Sequence, residues 1–191
     1  RSSSIHGILF QSGILALVTN TLKAYLQIEM DVASNSSDLS LAARQDIVAR
    51  QLPHALSLLE TIASAPAASA WASSNHIAST LFEILALGAP LVFMTGILDI
   101  LRVFTTQEDS IRQVLESDGL MSLIGLLSND NNHVTSLSLS ILCNLAKFDE
   151  VQAQLATYID ASLLSELDSR LGDSELSFHL ARLKAYLGLS E

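Results

Sequence analysis

Cysteine, basic residues and proline are scarce in this sequence, and each scarcity excludes a class of protein. The single cysteine among 191 residues, Cys143, rules out an internal disulfide and any zinc site built from several cysteines. Lysine and arginine together number 10 against 20 aspartates and glutamates, which gives a formal net charge of −10. Nucleic acids and anionic membranes are bound by clustered basic residues, so we expect neither as a partner. A protein partner is compatible with this charge.

Proline occurs three times and aromatic residues make up 5%, whereas 49% of the chain is hydrophobic. This composition, rich in leucine and alanine and poor in strand-forming residues, predicts an all-α protein. The least polar stretch, 84–98, is shorter than the roughly 20 residues that span a bilayer, so we expect a core helix and no membrane insertion. We expect one domain, excised from a longer intracellular, cytoplasmic protein.

Residues 109–148 carry the pattern that organises the chain. They contain three helical pieces and two joints, predicted as a short helix over 110–117, a break at Gly119, a second helix over 120–127, a polar turn over 128–132 and a longer helix over 133–148. The turn is predicted because Ser, Asn and Asp side chains bond nearby backbone groups and compete with helix. Cys143 lies on the apolar face of the third piece, so we expect a buried structural thiol.

The same pattern recurs along the chain at a fixed interval. Apolar anchors repeat every 41 or 42 residues, with Leu81, Leu123 and Leu164 in the second helix and Leu101, Leu142 and Leu183 in the third. Arrays of helical repeats have such a period, and stacking of their units makes one continuous core. The interval divides the chain into four units at 4–64, 66–107, 109–148 and 149–188.

The first unit is irregular. Its anchors, Leu17 and Leu59, are 42 residues apart, against 19 between Leu123 and Leu142. We expect the extra length to lie in longer helices and in an inserted loop over 31–40. A tolerated surface insertion is the preferred interpretation of this loop, and a partner-specific loop is the alternative.

The arrangement resembles the armadillo superfamily, with HEAT arrays as the close alternative. The Gly119 joint and the ending Leu-Cys-Asn-Leu-Ala over 142–146, which is similar to the armadillo LxNLA signature, favour armadillo. The resemblance implies a right-handed α-solenoid of about four armadillo-like three-helix repeats over 1–191. It also implies that the third helices line a concave groove that binds partner proteins.

In importin-type arrays the groove carries a ladder of asparagines, each paired with a tryptophan one turn earlier. Asn144 matches the asparagine position, but Ser140 stands where the tryptophan would be. The equivalents of Asn144 in the other units are Thr61, Val103 and Ala185. The string Trp-Ala-Ser-Ser-Asn over 71–75 matches the importin WxxSN string but falls outside the groove by register, so we interpret Trp71 as a packing residue. Nuclear-signal recognition of the importin kind is therefore not expected.

The predicted groove face is built of small and hydroxyl side chains with scattered charge. Its candidate partner-binding residues are Thr95 and Asp99 in the second unit and His133, Ser136, Ser140, Asn144 and Lys147 in the third. Small side chains let another backbone approach closely, so a docked peptide or helix is one interpretation. A solvated, weakly selective inner face is the other.

The second unit has an unusual lack of charge. Between Gln51 and Leu101 there is no lysine or arginine, and only Glu60, Glu83 and Asp99 are charged. Either these helices are the most buried of the array, or a partner or a second copy of the chain covers part of them. We predict an interface that includes this unit, in a heterologous complex or a homodimer.

No pattern of catalytic residues is present. The five histidines are spread along the chain without ligand-like spacing, and residues 119–125 have the wrong spacing for a nucleophile elbow. We therefore expect no enzyme, no metal and no cofactor. The predicted function is a protein-binding scaffold or adaptor module that uses the groove or the apolar surface of the second unit. The alternative is a structural or homo-oligomerisation domain without a groove ligand.

Overall fold

The computed structural model describes residues 13–34, 39–106, 108–116, 118–170 and 174–189, and within these ranges the regular structure is helical throughout. The elements are α1 (Ile14–Ala33), α2 (Leu39–Ala63), α3 (Pro66–Ser74), α4 (Ile77–Ala86), α5 (Leu91–Phe104), α6 (Glu108–Glu116), α7 (Gly119–Gly125), a 3-10 turn (Leu126–Ser128), α8 (Asn132–Leu145), α9 (Asp149–Tyr158), α10 (Ala161–Ser169) and α11 (Ser174–Tyr186). The start of the first predicted unit, residues 4–12, lies outside the described residues.

Turn and capping residues fix the helix ends close to the predicted positions. In the third unit the observed bounds of α6, α7 and α8 differ from the predicted ones by at most three residues. Asn131 caps α8, since its side-chain oxygen accepts hydrogen bonds from the backbone of His133 at 2.9 Å and of Val134 at 3.4 Å. Gly88 ends α4 with a φ of 80°, a left-handed conformation that glycine adopts without steric cost.

The loop predicted over 31–40 is shorter than expected, because helix continues into it from both sides. α1 extends to Ala33 and α2 begins at Leu39. Two local hydrogen bonds support the last turn of α1: Gln27 Nε2 donates to Asp31 Oδ1 at 2.9 Å, and Ser34 Oγ donates to the Asp31 carbonyl at 2.8 Å. The polar side chains that suggested a loop thus bond within the helix end, and residues 35–38 lie outside the described residues.

The helices pack in rows. α2, α5, α8 and α11, which we call the third-helix row, contact one another in that order. A second row runs beside it, in which α1 contacts α4, α4 contacts α7, and the 3-10 turn contacts α10. α3 contacts both α4 and α6 on the side of the second row. This all-α arrangement is compatible with a helical solenoid.

The recurring leucines lie in the core. All six anchors of the second to fourth units are buried. In the first unit Leu59 is buried, but Leu17 is 65% exposed, so the prediction that Leu17 is a core anchor is wrong. Val18 and Leu22, one helical turn apart, fill that position instead. The first unit is longer than the others, so the interval of 41 or 42 residues does not locate its core positions.

Polar side chains also join helices at the interval of the leucines. Gln113 Nε2 donates to the Ser73 carbonyl at 2.8 Å, across 40 residues of sequence. Asn144 Nδ2 donates to the Arg102 carbonyl at 3.2 Å, across 42 residues. Arg170 donates to the Asn129 carbonyl at 2.6 Å, across 41 residues. Each bond satisfies a carbonyl at or just beyond a helix end, where intrahelical partners run out.

Burial explains the low charge of the second unit. α4 lies between α1 and α7, and α5 lies between α2 and α8, so most of their apolar side chains are covered. The large side chains of Phe82, Ile97 and Phe104 are fully buried. Of the two explanations that the sequence left open, the central position of these helices accounts for most of the effect. Leu91 and Val92, at the start of α5, remain exposed.

Candidate functional site

The third-helix row exposes a strip of small side chains at its two ends. In α2, Ser57 and Thr61 are exposed, and in α11 Ala181 and Ala185 are exposed. These positions belong to the face that the sequence predicted as the groove. Near the middle of the row the same face is only half-exposed, because α5 and α8 are packed between neighbours on both sides.

Ser136 does not lie on this surface. It is 2% exposed and its hydroxyl oxygen has no hydrogen-bond partner among the described residues. α8 is contacted by α5, α7, the 3-10 turn and α11, so a side chain that a helical wheel places on the groove face is covered by a neighbouring helix. A partner docked on the row does not reach the Ser136 hydroxyl.

Asn144 joins α8 to the last turn of α5, about one turn beyond Asp99. Asn144 is half-buried, and its amide donates to the carbonyl of Arg102 in the last turn of α5. The Arg102 guanidinium in turn lies 3.2 Å from Asp99 Oδ1 on the same helix. Asn144 therefore ties two helices of the row together, which is a packing role that a register match alone does not reveal.

The other candidates are divided between the two ends of the helices. Lys147 is exposed and follows Asn144 by three residues, and Ser140 is half-buried one turn before it. His133 is exposed at the opposite end of α8, about 16 Å from Asn144 along the axis. Thr95 is half-buried near the start of α5, and its hydroxyl lies 3.4 Å from the Leu91 carbonyl. One group of candidates thus contains Asp99, Ser140, Asn144 and Lys147. His133 is separate from this group.

Cys143 and His179 link α8 to α11 directly beside this group. Cys143 is free and buried, as predicted, and its Sγ donates to the His179 carbonyl at 3.2 Å. Burial raises the pKa of the Cys143 thiol to about 11, although the nearby Arg182 and Lys147 act in the opposite direction. Burial also lowers the pKa of His179, with Glu175 opposing and Arg182 and Arg102 adding to the shift.

Arg102 and Arg182 are functional candidates that the sequence analysis missed. Both act electrostatically on His179, and Arg182 also acts on Cys143, so they lie around the same contact as Lys147. They do not occupy equivalent register positions in their units, and for that reason comparison of units could not group them. Counting charges helix by helix along the row would have found them.

Two groups of apolar side chains line open cavities along α1 and α2. One cavity, of about 230 Å³, is bordered by Ile14, Leu17, Val18, Thr21, Gln51, His54, Ala55 and Leu58. The other, of about 330 Å³, is bordered by Ala24, Gln27, Ile28, Asp31, Leu41, Arg44, Ile47 and Val48. Leu17, Met30 and Ile47 on these helices are exposed. This is the largest concentration of exposed apolar side chains on one pair of the described helices.

Neither a metal cluster nor a membrane span is found in the described ranges. They contain no group of three or more His, Cys, Asp and Glu residues placed to hold a metal ion. No helix within them has the length and apolar character needed to cross a bilayer. Trp71 is partly buried and packs against the core, in agreement with its interpretation as a packing residue.

Comparison with known proteins gives a likeness in fold. No family model matches the sequence, and no curated protein matches it. Among solved structures, the chain is similar to the crystal structure of an engineered protein, with a TM-score of 0.63 and 20% sequence identity. The match covers 89% of this chain and 62% of that one, so the chain spans less than two thirds of the engineered protein. At this level of identity the likeness concerns the fold alone.

Proposed function

We propose that the chain is an armadillo-type right-handed solenoid of about four repeats that serves as a protein–protein interaction module. A peptide or helix of a partner protein docks along the third-helix row. The observation that carries the proposal is the packing of α2, α5, α8 and α11 in sequence, which joins their outward side chains into one surface. Hydrogen bonds at intervals of 40 to 42 residues and the armadillo-like Leu-Cys-Asn-Leu-Ala ending support the repeat assignment.

The mechanism is recognition by a rigid surface. Helices held on both sides by neighbours lose little conformational freedom when a partner binds, so less of the interaction energy is spent on ordering. Exposed Ser57, Thr61, Ala181 and Ala185 leave room for another backbone to approach both ends of the row. The role proposed for the chain is therefore that of a preformed scaffold, without a chemical step.

A selection from a random peptide library tests this proposal. Peptides that bind the unmodified chain are measured against Ser57→Trp and Ala185→Trp, which place a bulky ring on the row. Gln154→Trp is the matched control, because Gln154 is exposed on α9, which is not a helix of the row. We expect the row variants to weaken binding at least about tenfold, which corresponds to about 1.4 kcal/mol, and the control to leave it unchanged.

Peptides that bind all three variants equally well would contradict the proposal. Peptides that lose binding only to Gln154→Trp would move the interaction from the row to α9. Circular dichroism of each variant verifies that the helices are intact, so that lost binding is not a consequence of unfolding.

The second candidate function is self-association through α1 and α2. It is favoured by exposed Leu17, Met30 and Ile47 and by the two apolar cavities beside them. Exposed apolar surface of this kind is covered in many proteins by another subunit. Light scattering over a range of concentrations distinguishes the two candidates, since self-association predicts a dimer that Leu17→Glu and Ile47→Glu dissociate. A monomer at every concentration would rule this candidate out.

A further inference from the structure

Charge is distributed unequally between the two sides of the array. The four helices of the third-helix row hold five of the ten basic residues of the chain, Arg44, Arg50, Arg102, Arg182 and Lys184, and four of the twenty acidic residues, Asp46, Glu60, Asp99 and Glu175. These helices are therefore close to neutral, whereas the chain as a whole has a formal charge of −10. Lys147, two residues beyond the end of α8, adds a sixth cation beside the row.

Three of these cations lie around one point of the row. The bond from Asn144 to the Arg102 carbonyl joins α5 to α8, and the bond from Cys143 to the His179 carbonyl joins α8 to α11. Arg182 follows His179 by three residues, about one helical turn along α11, and Lys147 follows Asn144 by three residues, just beyond the end of α8. Arg102, Lys147 and Arg182, which we call the basic cluster, thus come from three successive segments of the row.

The basic cluster is accessible and its charge is only partly neutralised. The Arg102 side chain is 47% exposed and has a single carboxylate partner among the described residues, Asp99. Lys147 is exposed and forms no ion pair with any residue of the described ranges. The Arg182 guanidinium lies 5.5 Å from the ring centre of Phe178, whose side chain is 58% exposed.

We propose that the basic cluster receives an acidic segment of a partner protein, and this inference rests on the proposed function. Neighbouring packed helices lie about 8–10 Å apart, so the segments that carry the three cations follow one another at about that interval across the row. A peptide in the polyproline II conformation advances about 9 Å per three residues and returns to the same face. The partner segment therefore presents a carboxylate at every third position, and exposed Phe178 offers an apolar contact beside the last of them.

Three fluorescent peptides of the same length test the inference. The first has Glu at every third position, the second has Gln at the same positions, and the third has Lys. Anisotropy titrations with the full chain should give the tightest binding for the Glu peptide, which weakens as NaCl rises from about 50 to about 300 mM because salt screens the attraction. The Gln peptide should bind about tenfold more weakly, and the Lys peptide more weakly still.

Charge reversal locates the interaction. Lys147→Glu should weaken binding of the Glu peptide about tenfold, because it replaces an attraction with a repulsion at the centre of the cluster. Lys23→Glu on α1 is the matched control, since it makes the same change of charge at an exposed residue of the second row, and it should alter the affinity less than about twofold.

Two outcomes of the anisotropy titrations would overturn the inference. Either the Glu peptide binds no better than the Gln peptide, or Lys23→Glu weakens it as much as Lys147→Glu, which would show an effect of net charge alone. Library-selected peptides that require the third-helix row but tolerate Lys147→Glu would refute the acidic segment and leave the proposed function standing. Selected peptides that ignore the row altogether would refute the proposed function itself.

Discussion

Removal of the Arg170 side chain should destabilise the protein more than removal of any other charged side chain discussed above. Arg170 directly follows α10 and donates hydrogen bonds into the turn between the 3-10 turn and α8. Its Nη1 lies 3.2 Å from the Leu127 carbonyl, and its Nη2 lies 2.6 Å from the Asn129 carbonyl and 2.8 Å from Asn132 Oδ1. One guanidinium thus holds together the polar turn that the sequence predicted over 128–132.

The expected magnitude follows from the number and kind of these bonds. A hydrogen bond to a charged group contributes about 1.5–3 kcal/mol, and the contributions of bonds made by one side chain do not add fully. Arg170 is half-buried, so in Arg170→Ala water replaces some of the hydrogen bonds that the guanidinium makes. We therefore expect a loss of about 2–3 kcal/mol in the free energy of unfolding. Arg170→Lys keeps the charge but lacks the planar guanidinium with its several donors. We expect it to lower the free energy of unfolding by about half as much as Arg170→Ala.

Thermal and urea unfolding, followed by circular dichroism, measure this loss. For a chain of this size, about 2–3 kcal/mol corresponds to a decrease of roughly 5–10 °C in Tm. Arg50→Ala is the control, because Arg50 pairs with Asp46 at 2.7 Å while their side chains are 77% and 60% exposed. Such an exposed pair contributes about 0.5 kcal/mol or less.

The reasoning fails if Arg170→Ala and Arg50→Ala shift the unfolding transition equally. It also fails if amide exchange at the start of α8 is unchanged in Arg170→Ala. Loss of the guanidinium should free that turn first, so faster exchange there is a local signature separate from the global loss of stability.

Three further perturbations test other parts of the structure. His76 has a φ of 55° and an exposed side chain, so His76→Gly should relieve left-handed strain and raise stability by about 0.5–1 kcal/mol in thermal unfolding; an unchanged or lower Tm would contradict this. Gly88→Ala makes the opposite change at a φ of 80° and should cost about 1 kcal/mol. Because burial raises the pKa of Cys143 to about 11, above its ordinary value, the native state holds the thiol proton more tightly than the unfolded state does. The stability due to this thiol is therefore complete below about pH 8.5 and falls as pH rises to about 11, and Cys143→Ser should show a smaller fall over that interval in urea titrations.

The helices were predictable because their signals are local. Periodic leucines and the polar turn that contains the Asn131 cap act within a few residues of sequence, and the observed bounds of the third unit follow them closely. The exposure of Leu17 and the burial of Ser136 were not predictable in the same way, because each depends on which neighbouring helix covers that side chain. The packing role of Asn144 could not be predicted from local sequence either, because its partner, the Arg102 carbonyl, lies 42 residues away.

The basic cluster was missed for a different physical reason. Comparison of units detects side chains that recur at one register position, as the leucines do. Arg102, Lys147 and Arg182 occupy different register positions, and packing of the helices brings them to one place. An electrostatic surface depends on summed charge rather than on residue identity at any position, so periodicity does not detect it.

The order of the third-helix row has a consequence for how the molecule opens. α5 and α8 each lie between two helices of the row, whereas α2 and α11 lie at its ends. Separating an end helix breaks one interface of the row, but opening the middle breaks two. Local unfolding should therefore begin at the ends and reach α5 and α8 last. A ligand that contacts α5, α8 and α11 would hold α11 against its neighbour. It should therefore slow local unfolding at that end of the row.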